Sequence, residues 1–364
     1  GGGGGVGGTG GRGGGGRKSY RNLAVVEKTV FDAIRQLSML TPRRLYFAHN
    51  QVIVLSEQLV RHRGVNEILD FFDRNPQIRR DNWVLVARGK VGDIMDAPPG
   101  IETTPAQRIT GEINNREQSS FFSPTRLGDF IQMLEEPATE PYTAMVGLLP
   151  NPAVSKVAFD PGGPGPEPAH DVKLVGTAVF RRDRLAGWLD ERETRGLLWV
   201  RGQVQGGPVK FPSPHDPHKD VAVDILRAGR GGSKLEPVLQ DGRPGMRIKI
   251  KTRVNLVETQ DLHLDLDKPE VIEELQKQLE KTIREEVMAA VTRLQEDYHA
   301  DCFGFGSAFH RKYPAFWRQA YLQWQDVFPA IPVEVEVNAV IRRTGLVTRP
   351  MRPGSGEKLQ LPGG

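Results

Sequence analysis

With a single cysteine, Cys302, the chain can form no internal disulfide, so its covalent chemistry does not report a redox compartment. It has no run of about 18 apolar residues, which argues against a membrane-spanning helix. It also lacks a clustered block of lysine and arginine. The formal excess of +4 is scattered, and Arg12, Arg17 and Lys18 sit in the first residues. No stacking-aromatic module accompanies those charges, so no nucleic-acid partner is expected. Finally, the chain opens on "GGGGGVGGTGGRGGGGRKS" without a methionine. We read this as a start inside a longer protein, with any targeting signal lying upstream.

What is present suits a globular protein with cores for two or three domains. Residues 1–18 form a glycine-rich segment, expected to be flexible because it has too little apolar surface to offset ordering. "GVGGTGG" resembles a phosphate loop, but only glycines precede it where such a loop needs a strand. Order is expected from residue 19. Thr29 can cap a helix carrying Phe31, Ile34 and Leu37 at helical spacing. "RRLYFAHNQVIVLS" reads as one strand with Tyr46, Ala48, Val52 and Val54 apolar, and "NWVLVARG" as a strand buried on both faces. "TRLGDFIQMLEE" reads as a helix capped by Thr125 or Asp129.

Strands and helices alternating in this way predict a mixed α/β region over 19–190, in two subdomains, with a mobile Pro/Gly loop at 150–172. Residues 191–350 predict a second α/β domain, and 351–364 a flexible tail. In the second domain, "MRIKIKTRVNLVETQ" alternates Ile248, Ile250, Thr252, Val254 and Leu256 with Arg247, Lys249, Lys251 and Arg253. Period two with one basic side is the pattern of a half-buried antiparallel strand with a solvated face. A long helix follows over 268–300, with Asp267 as cap, Pro269 in its first turn and Glu270 closing a capping box. Ile272, Leu275, Leu279, Ile283, Val287, Val291 and Leu294 recur mostly at spacing four, which suits packing on a sheet better than a coiled coil. The fold class is therefore α+β: mixed α/β domains, antiparallel sheets and one long C-terminal helix packed on a sheet.

Three places could carry chemistry. "DCFGFGSAFHRKYPAFW" holds Cys302 with His299 and His310 nearby, but a thiol at a helix C-terminus has its pKa raised, not lowered. We read it as a buried corner, leading into a helix with Phe316, Tyr321 and Trp324 near one face. "PSPHDPHKD" places His215 and His218 three apart beside Asp216 and Asp220, an incomplete metal set on a Pro-rich loop. His49 reads as a structural histidine in a strand. The acid pairs Glu135/Glu136 and Glu285/Glu286 read as solvated helix faces. No catalytic, cofactor-binding or metal-ligating residue is assigned and no cofactor is implied. A soluble ligand-binding protein or hydrolase using His215, His218 or Cys302 stays open as the alternative.

Several stretches in order resemble a known family. "RRLYFAHNQVIVLSEQLVRHRGVNEILDFFDRNPQIRRDNWVLVARGKVGDIM", "GTAVFRRDRLAGWLDERETRGLLWV", "ADCFGFGSAFHRKYPAFW" and "AVIRRTGLV" are similar to segments of the Ger(x)C family, the C subunits of bacterial spore germinant receptors. The resemblance runs from about residue 29 to 348. It implies three α/β domains without a catalytic site. It also implies a lipoprotein on the outer face of the inner spore membrane, partnered by two multi-pass membrane subunits. The family's lipidated cysteine is not among these residues, and Cys302 lies too deep in the chain to stand for it.

Overall fold

The structure, a computed structural model, describes residues 20–41, 45–98, 102–150, 170–226 and 232–342. The expected glycine segment, the tail, and most of the expected loop at 150–172 lie outside these residues.

In chain order the described helices and strands are α1 (Val30–Leu40), β1 (Val52–Ser56), α2 (Glu57–His62), α3 (Asn66–Arg74), β2 (Trp83–Arg88), α4 (Val91–Asp96), α5 (Pro105–Asn114), β3 (Thr125–Arg126), α6 (Leu127–Glu135), β4 (Tyr142–Pro150), β5 (His170–Arg181) and β6 (Arg184–Leu189). Then come α7 (Glu191–Arg201), β7 (Pro208–Pro212), β8 (Asp220–Leu226), β9 (Ser233–Gln240), β10 (Arg243–Thr259), α8 (Pro269–Thr292), α9 (Phe305–Lys312), α10 (Pro314–Ala320), α11 (Trp324–Val327) and β11 (Val333–Arg342).

The first sheet has the order β1-β2-β4-β5-β6, with the short β3 also paired to β2. β2 lies parallel to both β1 and β4, and its run of Trp, Val, Leu, Val and Ala is buried throughout. That is the composition a central strand needs when helices cover both faces. Val84 and Val86 meet Val60, Leu69 and Phe130 on one side, whereas Leu85 and Ala87 meet Ile94, Ile109 and Ile113 on the other.

The second sheet is built on β10. β11 runs parallel to it from Met246 to Asn255, while β9 and then β8 pair antiparallel along its other edge. The alternation read from the sequence places Ile248, Ile250, Thr252 and Val254 inside, against Leu275, Leu279, Ile283 and Val287 of α8. Their charged neighbours form ion pairs at the surface: Arg247 with Glu334 at 2.8 Å and Lys249 with Glu236 at 2.9 Å. The outer edge of β11 is closed by α8 itself. Glu280 accepts from the Ala339 N–H, Gln276 accepts from the Ile341 N–H, and Arg284 donates to the Val335 carbonyl. A covered edge cannot template pairing with another chain.

Helix α7 joins the two sheets. Asp190 and Glu193 form a reciprocal capping box at its start, and Gly202 ends it at φ 64°. Its Thr194 hydroxyl bonds Thr177 of β5, and Gly196 lies so close to α8 that a Cβ there would collide with the Glu286 carbonyl. The far end of α8 returns to the first sheet. Tyr298 donates to the Trp188 carbonyl at 2.8 Å and accepts from its N–H at 3.1 Å, so β6 is held from both sides.

Several local expectations differ from the structure. Of the strand expected over 43–56, the described residues 45–56 form a strand only at β1. Phe47–His49, with His49, is a 3-10 turn that Asn50 closes by donating to the Phe47 carbonyl. Thr29 does cap α1, but Phe31 is 55% exposed and the helix buries no residue. α6 uses neither Thr125 nor Asp129 as cap. Thr125 donates to the Tyr142 carbonyl, and the carbonyls of Asn82 and Arg80 take up the first helical N–H groups instead. α8 begins at Lys268 without a side-chain cap: the Asp267 N–H turns back to Asp265, and Pro269 needs no acceptor. The long helix is continuous to Tyr298, but Arg293–Tyr298 winds as a π-helix and His299 ends it left-handed. The aromatic helix after Pro314 is broken at Tyr321. Trp317 and Trp324 are buried in a T-shaped pair, whereas Tyr321 is 40% exposed.

Candidate functional site

The corner that follows the long helix is organised by Asp301 rather than by its neighbour Cys302. Asp301 sits where the chain leaves the helix, and its carboxylate accepts the N–H groups of Gly304, Phe305 and Gly306 at 2.9, 3.1 and 2.8 Å. Trp324 supplies a fourth donor at 3.0 Å. The glycines let the turn close: Gly304 adopts φ 82°, and a Cβ on Gly306 would meet the Ala138 carbonyl at 2.7 Å. Burial raises Asp301 to about 6, while the four donors pull it the other way.

Cys302 is fully buried, with Sγ 3.9 Å from the Pro141 carbonyl. Burial, reinforced by the Glu140 and Asp301 carboxylates, pushes its thiol well above the usual range. A thiol in that setting is no nucleophile. His310, its neighbour in sequence, is instead exposed and stacks on Trp317.

The other candidates are dispersed. His215 pairs with Glu274 of α8 at 3.1 Å, with both side chains substantially exposed. The His218 backbone closes a turn on Asp216. The structure thus brings neither histidine to Cys302. Among the described residues, no group of three His, Cys, Asp or Glu side chains could hold a metal ion.

One expectation is overturned. Glu286, expected to be solvated alongside Glu285, is 2% exposed. Its carboxylate takes two bonds from the Arg195 guanidinium and one from the Trp199 indole at 2.9 Å. The close approach at Gly196 brings both partners of α7 over α8, and this buries the acid. Glu285 stays outside, paired with Arg192 at 3.3 Å. Glu136 accepts from the Ser307 hydroxyl, so that pair too is partly engaged.

Beside the Asp301 corner lies an open, mostly polar cleft of ≈ 820 Å³ between α6, α7, β9 and the start of α9. It continues through Ser123, Pro124, Asp129 and Gln203 into a second hollow of ≈ 310 Å³. Trp83 and Arg126 carry it on to a third of ≈ 350 Å³. The sequence did not mark these residues as one surface, because they come from separate stretches that only the fold assembles. No helix among the described residues is long and apolar enough to cross a membrane.

This architecture, with its chemistry-bearing side chains engaged in packing, is that of a known class. Residues 4–148 match the model of the "Spore germination protein N-terminal domain" and residues 175–345 match that of "Spore germination B3/ GerAC like, C-terminal". The chain belongs to this Ger(x)C family of spore germination C subunits. Among its relatives, the spore germination protein KC of Bacillus subtilis (strain 168) is 26% identical over 332 residues, covering 89% of this chain and 78% of that protein. The spore germination protein YndF of the same organism is 28% identical over 336 residues, covering 91% and 76%. The crystal structure of the GerBC protein has the same fold, with a TM-score of 0.62 over 85% of this chain and 84% of that one, at 22% identity.

Proposed function

We propose that this chain is a non-catalytic C subunit of a spore germinant receptor. In this reading it is a lipid-anchored scaffold that couples two multi-pass membrane subunits during nutrient-triggered germination. The observation that carries the reading is the pair of family matches, in order, across both sheets. The internal chemistry agrees with it. Asp301 holds a turn, Glu286 clamps two helices, and Cys302 fills a corner. Each of these three side chains is committed to holding elements in place, which suits a rigid coupling body. The lipid would sit on a cysteine other than Cys302, which no acyl transferase could reach without unfolding the corner. The protein would thereby lie on the outer face of the inner spore membrane.

Affinity capture of the tagged protein from detergent-solubilised spore membranes tests this reading. The expected result is co-purification of two multi-pass proteins. Recovery of the protein alone, in a detergent that keeps receptor complexes intact, would contradict it.

A further inference from the structure

The groove formed by the three hollows concentrates positive charge. Arg79, Arg116, Arg126, Arg201, Lys234 and Arg311 line it against three carboxylates, Asp81, Asp129 and Glu136. Asp81 pairs with Arg79 at 2.9 Å and Lys234 with Glu236 at 2.8 Å, while Glu136 accepts from the Ser307 hydroxyl.

At the centre, Arg126 stacks over Trp83 with its guanidinium carbon 3.5 Å from the ring centroid, and Arg116 approaches the same ring at 5.6 Å. Their hydrogen bonds go to the backbone carbonyls of Asp81 and Ile113; among the described residues neither forms a close ion pair, although the Asp81 and Asp129 carboxylates act on Arg126 from further off. Two like charges held together on one aromatic shelf repel one another. An arriving carboxylate would relieve that repulsion and find planar, bidentate donors.

Two amides add polar surface to the walls: Asn82 lines the third hollow and Gln205 the second. The cations are spread over three adjoining hollows, so a chain carrying several carboxylates along its length matches them, whereas a phosphate or a single carboxylate would engage only one.

We propose that this groove is a docking site for an extended acidic segment of a partner protein, with Arg116 and Arg126 receiving its carboxylates. The open, continuous shape suits a strand-like chain better than an enclosed small molecule.

The test is fluorescence anisotropy of labelled octaglutamate on the purified full chain, with octaglutamine and free glutamate as comparisons. Octaglutamate should bind, octaglutamine and free glutamate should bind at least about ten-fold more weakly, and added salt should weaken the complex. Arg116→Ala with Arg126→Ala should weaken octaglutamate binding by about ten-fold or more, whereas Arg74→Ala, on the exposed face of α3, should bind as wild type. Circular dichroism melting checks that the variants fold. Arg116→Gln alone, at a partly exposed position, serves if the double variant does not. Absence of octaglutamate binding, equal binding by wild type and the groove variants, or free glutamate binding as tightly as the peptide would overturn the proposal. The assay uses no spores and no membrane subunits, so its failure leaves the receptor reading standing.

Discussion

The two carboxylate oxygens of Asp301 divide four donors: one oxygen takes Gly304 and Phe305, and the other takes Gly306 and the indole of Trp324, 23 residues away in sequence. This arrangement ties the end of the long helix, the start of α9 and the aromatic cluster into one corner. Asp301→Asn keeps the size but turns an NH2 group toward donors. It should lower stability by about 2–4 kcal/mol, with more loss than Trp324→Phe, since only the former leaves several buried N–H groups opposed. Urea denaturation midpoints of the two variants compare them directly.

The pH dependence of that gap has a defined sign. Asp301 rises from 3.8 to about 6 in the folded protein, so between those values the native state binds the extra proton. Its contribution to stability is therefore greatest below about pH 4 and is lost as pH rises through about 6. The stability difference between wild type and Asp301→Asn should narrow as pH increases across this window. A gap that widens would mean that the four donors outweigh burial.

Glu286 and Gly196 together form the clamp between α7 and α8. Glu286→Ala leaves Arg195 without its buried partner and should cost about 3–5 kcal/mol. Gly196→Ala should cost about 1–3 kcal/mol, because a Cβ there meets a backbone carbonyl that cannot step aside. Thermal melting reads both. A Gly196→Ala variant as stable as wild type would contradict the tight crossing.

Along α8 the two faces should respond differently. Leu279 is wholly buried among the inward residues of β10, so Leu279→Ala should cost about 2–5 kcal/mol. Lys277→Ala, on the exposed side, should stay within about 0.5 kcal/mol.

Cys302 should resist thiol reagents in the native protein and react only after denaturant opens the corner. Cys302→Ser should reduce protein level while leaving the nutrient response of spores nearly intact, because a hydroxyl there loses hydrogen bonds to water. Labelling that proceeds at the same rate in buffer and in denaturant would place the thiol at the surface.

The faces of α8 and β10 were legible because burial on a regular element leaves a period: spacing four from Leu275 to Leu279 to Ile283, spacing two from Ile248 to Val254. The corner at Cys302 was legible too, since its place at a helix C-terminus argued against a nucleophile. Asp301 was not, because an acid before a Gly-rich turn looks like surface until Trp324 is folded over it. Glu286 misled for the same reason. Its burial is decided by a glycine 90 residues earlier, and local pattern carries no trace of that. The groove was invisible in sequence, since Asn82, Arg116, Arg126 and Gln205 share no local stretch.

The most direct measurement for the account as a whole is the nutrient response of spores lacking this gene, in a strain without a paralogous receptor. A non-catalytic receptor subunit predicts loss of germination by one nutrient class, unchanged germination by agents that bypass receptors, and recovery on complementation. A full nutrient response after deletion would contradict it.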